Sequence, residues 1–280
     1  AQYNFSRELG REIWAGFTFL REDQGAQRLE VYGGDLLISF GTDAQFVAEV
    51  ARSDYDSIFR GDIGGNAYRF ELTGTIAPGI FGRGYYRSVE EGFTNNATTS
   101  FTPGQTRYGA EVTARITPTT QATVQFDREV NFGIAPAVRG LTAVATTGFG
   151  DLFAPTNEPV PGSRVDNSLT VFKAGVNQKL GPVELGLDYV RRSRQDRIFP
   201  GRLEADTDQI VSRLNYPILK NLIFRVQDER NIGRTPDPLY PSRTTVGLDW
   251  LVSPDVTLRV AQQFLDNTSQ VGTNSFTSFD

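Results

Sequence analysis

The chain has 280 residues, 39% of them hydrophobic, and its 28 Lys and Arg against 33 Asp and Glu leave a net charge of −5. It contains no Cys, His or Met, which excludes disulfides, thiolate or imidazole zinc sites, side-chain haem ligation, and Ser-His or Cys-His catalysis. The acidic balance, with both signs interleaved, argues against nucleic acid as a partner. Mean hydropathy is −0.32, and no window nears the roughly 20 apolar residues of a membrane helix, so strands are the remaining way through a bilayer.

The chain opens Ala1-Gln2-Tyr3, as expected of a mature N-terminus after signal-peptide removal or of an internal cut. Residues 1–10, with Tyr3 and Phe5, form an N-terminal segment or an extra strand. Strands are then predicted at 11–21, 28–40, 45–57, 66–76, 80–93, 106–116, 121–132, 168–180, 183–194, 206–216, 222–230, 243–252 and 256–266, from the alternation of apolar and polar residues. From Tyr68 onward, for example, Tyr68, Phe70, Leu72 and Ile76 share one face, and Arg69, Glu71, Thr73 and Thr75 the other. Residues 267–280 are a tail or an incomplete closing strand. Most segments reach the 9–11 residues or so that cross a bilayer at a tilt, where soluble strands average about five or six. The expectation is all-β: one antiparallel up-and-down transmembrane β-barrel domain over 1–280, with about 13–14 strands.

Connections alternate in length. Those after 40, 76, 116, 180, 216 and 252 are tight and rich in Gly, Pro, Asp and Asn, such as Ala77-Pro78-Gly79 and Ser253-Pro254-Asp255. Most of the others are longer, the longest being 133–167. A soluble sandwich has no reason to follow that parity. The hairpin from Tyr108 to Asp127 matches the one from Thr245 to Phe264 in form, each a strand, a Pro-bearing turn and a second strand.

These hairpins resemble those of large bacterial outer-membrane β-barrels of the porin-like kind, over nearly the whole chain and without a motif of any one family. The resemblance implies a bacterial outer membrane and lipid as the surrounding partner. A homo-oligomer or other envelope proteins are further partners consistent with it. Such barrels have an even strand number and an aromatic last residue. The odd count and the ending Thr277-Ser278-Phe279-Asp280 lead to the expectation of part of a larger barrel, the alternative being a short closing strand at 269–279.

The predicted lipid face carries rows such as Tyr32, Leu36, Ile38 and Phe40, or Val246, Leu248, Trp250 and Val252, with Tyr68, Tyr108, Tyr189, Tyr216 and Trp250 as girdle residues. The alternative is that these rows face a soluble core. The opposite face supplies the pore-lining candidates. They are Arg69, Glu71, Arg83, Arg87, Arg107, Glu111, Arg115, Asp127 and Glu129 in the first half, and Lys173, Lys179, Asp188, Arg213, Arg225, Asp249 and Arg259 in the second. Neighbouring strands carry opposite signs, so cross-strand ion pairs are expected. The row reads as a wetted channel wall, and each single charge as part of a solvating pair.

Carboxylates are the catalytic material on offer, and the outer-membrane enzymes of the phospholipase, protease and acyltransferase types rely on histidine. No catalytic residue, enzymatic activity, cofactor or firm metal site is therefore expected. Asp54, Asp56, Glu204, Asp206 and Asp208 are weak candidates for Ca2+ at the outer rim. Gly82-Arg83-Gly84 and Gly148-Phe149-Gly150-Asp151 fit no phosphate-loop spacing. The segment 133–167 has the length and position of a porin constriction loop, or of an external cap. The leading function is passive diffusion of ions or small hydrophilic solutes. The alternatives are a scaffolding barrel that anchors the envelope or holds a partner, and a soluble carbohydrate-binding β-protein.

Overall fold

The computed structural model describes residues 2–6, 12–25, 27–57, 61–94, 103–134, 163–198, 200–201, 204–233, 240–267 and 270–279. Most of the loop predicted at 133–167, with Gly148 to Asp151, falls outside the described residues. The strands are β1 (Gln2–Ser6), β2 (Ile13–Gln24), β3 (Gln27–Phe40), β4 (Ala44–Ser57), β5 (Gly61–Ala77), β6 (Ile80–Val89), β7 (Gln105–Thr117) and β8 (Thr120–Ile134). They continue with β9 (Arg164–Leu180), β10 (Val183–Asp196), β11 (Ala205–Leu219), β12 (Leu222–Asn231), β13 (Ser242–Ser253), β14 (Val256–Asn267) and β15 (Gln270–Phe279). All fifteen form one antiparallel sheet in chain order. No helix of the described residues is long and apolar enough to cross a membrane.

Both ends left open by alternation supply a strand, Gln2–Ser6 within 1–10 and Gln270–Phe279 in place of a tail, which adds to the 13–14 or so expected. The second keeps no period-two apolar row, with Val271, Phe276 and Phe279 out of step, yet it pairs along β14 from Asn267↔Gln270 to Leu258↔Phe279. Three boundaries also move. β5 starts at Gly61, ahead of the strand predicted at 66–76. β6 stops at Val89, and Glu90 to Phe93 lie outside the strand. β11 runs through Pro217 to Leu219, where a register shift against β12 accommodates a proline that cannot donate to the ladder.

Turn chemistry fixes the tight ends. Between β5 and β6 only Pro78 and Gly79 intervene, and Gly79 has φ +79°. That pairing suits a type II turn, in which proline presets the first corner and the second needs positive φ. The ladders place Phe46, Ala48 and Val50 beside Leu72, Phe70 and Tyr68 on one face, and Glu49 beside Arg69 on the other. The apolar face stays exposed, with Leu72 54%, Leu187 56% and Ile116 63% accessible. The polar face is the concave one, since a single layer can bury side chains only inside its own curl. Gln209, Gln227 and Gln263 lie buried there beside the small apolar cluster of Val171, Val190 and Val211. Among the described residues no ladder joins β1 to β15.

Candidate functional site: a charged concave wall

Register lines up one row of charges across five strands. Glu49 on β4 is opposite Arg69 on β5, Arg69 opposite Arg87 on β6, Arg87 opposite Arg107 on β7, and Arg107 opposite Glu129 on β8. Arg69 donates to Glu49 at 3.1 Å and to Glu71 at 3.2 Å. Arg83 donates to Glu71 at 2.8 Å. Arg107 reaches Asp127 through Nε and Nη2, the latter at 3.1 Å. Tyr85 shares this face, with its ring centroid 5.0 Å from the Arg83 guanidinium and 5.9 Å from that of Arg107. A cavity of about 630 Å3 opens among these residues.

The second half of the wall uses acids clamped between two cations. Asp188 on β10 meets Lys173 of β9 at 3.4 Å and Arg213 of β11 at 2.6 Å. Asp249 on β13 meets Arg225 of β12 at 2.8 Å and Arg259 of β14 at 3.1 Å. Arg243 donates to the buried Glu229 at 2.7 Å. Lys179 pairs with Glu184 at 3.5 Å beside the β9–β10 turn. Each acid lies one strand from its partner, so strand pairing itself brings the charges together.

Two connections fold back against this wall. After β6 the chain turns so that Phe93 is 2% exposed, and Thr94 N donates to Ser53 Oγ at 2.8 Å. Gly65 is required beneath it, because a Cβ there would run into the backbone of Gly92 and Phe93. Before β13, the Tyr240 carbonyl accepts from Gln209 and Asn231, and its ring lies 5.0 Å from the Arg192 guanidinium.

The convex face has its own layering. Rings follow one another across strands: Phe70 to Tyr86, Tyr86 to Tyr108 and Tyr108 to Phe126 at 6.4 Å each, and Phe172 to Tyr189 at 6.3 Å. Beyond the rings, toward the longer connections, the same face turns charged. Arg21 pairs with Asp23, Arg52 with Asp54, Arg191 with Asp206 and Arg230 with Asp228. Glu30 accepts from Arg28 and from the Tyr32 hydroxyl. From Tyr32 to Phe40 the convex row of β3 carries no charge. That stretch covers about 27 Å along the strand, or about 20 Å at a tilt near 40°, which the outermost side chains extend toward the ~25 Å apolar band of a barrel.

No protein-family model matches the chain, and no curated protein matches it. Solved structures do. The siderophore receptor PirA from Pseudomonas aeruginosa aligns with a TM-score of 0.52 at 12% identity, over 99% of this chain and 53% of that one. OmpT, an outer membrane protein of Vibrio cholerae in trimer form, gives 0.47 at 10% identity over 99% and 94%. Salmonella typhi OmpF in complex with daunomycin gives 0.46 at 10% identity over 96% and 96%. The fold is that of bacterial outer-membrane β-barrels. This chain spans about half the length of the PirA chain it matches. A barrel wall whose convex face is apolar, lined by aromatics and exposed is suited to acyl chains as its solvent.

One expectation is corrected here. Composition removes histidine and cysteine chemistry but leaves the carboxylates of the wall and rim, so it does not exclude enzymatic activity. Likeness at this identity carries the fold and leaves catalysis unassigned, so the exclusion is withdrawn.

Register places the sixteen sequence-derived wall candidates on the concave face of the barrel and Tyr68, Tyr108, Tyr189, Tyr216 and Trp250 on the convex one. The rim carboxylates do not converge. Asp54 and Asp56 sit on β4, and Asp206 and Asp208 on β11, well apart in the sheet order. Asp208 accepts from the Tyr189 hydroxyl. Among the described residues no three acidic side chains gather as a metal ion would need. Sequence reasoning missed Tyr85, Glu49 and Phe93. The parity of Tyr85 with Arg83 and Arg87 pointed to the first, and the alternation of Val47, Glu49 and Ala51 to the second.

Proposed function

We propose that the chain forms the wall of an outer-membrane channel for ions and small hydrophilic solutes. The observation that supports it is the concave face of β4–β8, where both signs of charge line an open cavity while the convex face is apolar. Rings of fixed charge in a narrow polar path tune which solutes pass. A channel needs a continuous wall, and among the described residues no ladder covers the outer edge of β1 or of β15. Bare backbone amides are untenable in lipid, so on this reading the edges pair with each other or with further strands, including those of a second copy. Purified chain in planar bilayers is expected to give discrete, steady conductance steps, and bilayers that stay silent at every protein concentration contradict the reading.

A second reading is a scaffolding barrel that holds a partner or anchors the envelope. It is favoured by the β9–β14 half, where Asp188, Gln209, Gln227, Thr245 and Gln263 are all at or below 2% exposed. That reading predicts a partner that co-purifies in fixed ratio and no conductance.

A further inference from the structure

We infer that Arg128, on the convex face of β8, docks the phosphate group of a membrane lipid at the lipid–water boundary on the side of the longer connections. The inference goes beyond the channel reading and holds whether or not the barrel conducts.

A repeat in the strands sets the depth. β2 begins at Ile13, β4 at Ala44, β8 at Thr120, β10 at Val183 and β12 at Leu222. Eight residues on in each strand stands an arginine: Arg21, Arg52, Arg128, Arg191 and Arg230. Register puts all five on the convex face, Arg52 opposite Tyr32, Arg128 opposite Tyr108 and Arg191 opposite Phe172 among them. That spacing is about 27 Å along a strand, or about 20 Å at a tilt near 40°. The five therefore lie near the edge of the ~25 Å apolar band, where lipid headgroups begin.

Four of these arginines pair with an aspartate of the chain. Arg128 does not. It is half-buried, and its Nε is shielded from solvent with no acceptor among the described residues. The described convex residues of β7 and β8 include no acid, and Asp166 of β9 lies four residues beyond Thr170 and pairs with Arg197. A cation at the hydrocarbon edge is costly without a counter-charge, and here that charge has to come from outside the wall. The neighbours suit a phosphate. Arg128 stands between Tyr108 and Thr170 across the two ladders, both of which carry hydroxyls. One step further out on the same face, Ser88 and Thr106 add two more, 2.9 Å apart. A guanidinium fork with hydroxyl donors around it matches the several oxygens of a phosphate.

The test is native mass spectrometry of the full chain in detergent micelles, titrated with phosphatidic acid, whose headgroup is a bare phosphate, or with phosphatidylcholine. Saturable retention of phosphatidic acid in preference to phosphatidylcholine is expected, weakened about tenfold by Arg128→Gln. Thr170→Asp gives Arg128 an acid across the ladder, as its four counterparts have, so it is expected to weaken retention to a similar degree. It stands in if Arg128→Gln does not fold. Arg52→Gln combined with Asp54→Asn removes an acid-paired arginine at the same depth and is expected to leave retention unchanged. Equal retention of the two lipids by the wild type overturns the inference, as does retention of phosphatidic acid by folded Arg128→Gln or Thr170→Asp equal to that of the wild type. Inorganic phosphate is the third arm. Displacement of phosphatidic acid by an equal concentration of it would show a site for the free ion and overturn lipid docking.

Discussion

Asp188 is 2% exposed, with Lys173 and Arg213 both bearing on one of its oxygens. Removing its charge leaves two cations in a crowded site, so Asp188→Asn is expected to lower unfolding stability by about 3 kcal/mol. Asp206→Asn is the contrast. Its pair with Arg191 is more than half exposed on both sides, and the loss should stay below about 1 kcal/mol. Urea unfolding of both variants in phospholipid vesicles checks the difference. On the convex face the solvent is hydrocarbon, and depth sets the cost. Val112→Arg, mid-row on β7, is expected to cost about 2–4 kcal/mol, and Ile116→Arg beside the turn about 0–1; the same unfolding measurement compares them. These side-chain directions were legible in the sequence because parity alone decides them. The partners were less so. Nothing local says that Arg87 has an arginine on either side, since that depends on the registers that the β5–β6 turn and the β6–β7 connection set.

At the scale of elements, the sequence showed the strands and the tight turns clearly, because alternation and turn chemistry are local signals. It misread where β6 ends. Residues 80–93 keep an extended pattern, yet the chain leaves the sheet after Val89 and Glu90 N binds Asn66 O at 2.9 Å. The doublet Glu90-Glu91 followed by Gly92 was the signal, a charge pair and a flexible residue breaking the row. The resulting fold-back lies over the outer end of the β4–β5 wall, against Gly65 and Ser53, and narrows the proposed path there. Gly65→Val puts a branched side chain where the backbone of Phe93 now lies. It is expected to push the segment off the wall and raise single-channel conductance, while heat-modifiability on gels stays unchanged. A conductance equal to wild type would show that the segment does not narrow the path. The inward fold at Tyr240 carried no sequence signal, because the residues before it read as an ordinary polar loop.

At the scale of the whole molecule, one rhythm of period two organises the sheet from β1 to β14, and the central claim is that its two phases meet two solvents. Strand number was the least legible property, since a polar strand such as β15 is recruited by its neighbour's free edge and not by its own pattern. The chain has no native cysteine, which makes the direct test simple. Single cysteines placed one at a time from Tyr108 to Ile116, spin-labelled in lipid vesicles, report contact with oxygen dissolved in the acyl chains and with a water-soluble nickel complex. The account predicts strict alternation: oxygen contact peaks at 108, 110, 112, 114 and 116, and nickel contact at 109, 111, 113 and 115. Even positions shielded from both probes, as in a row packed beneath a second protein layer, would contradict it.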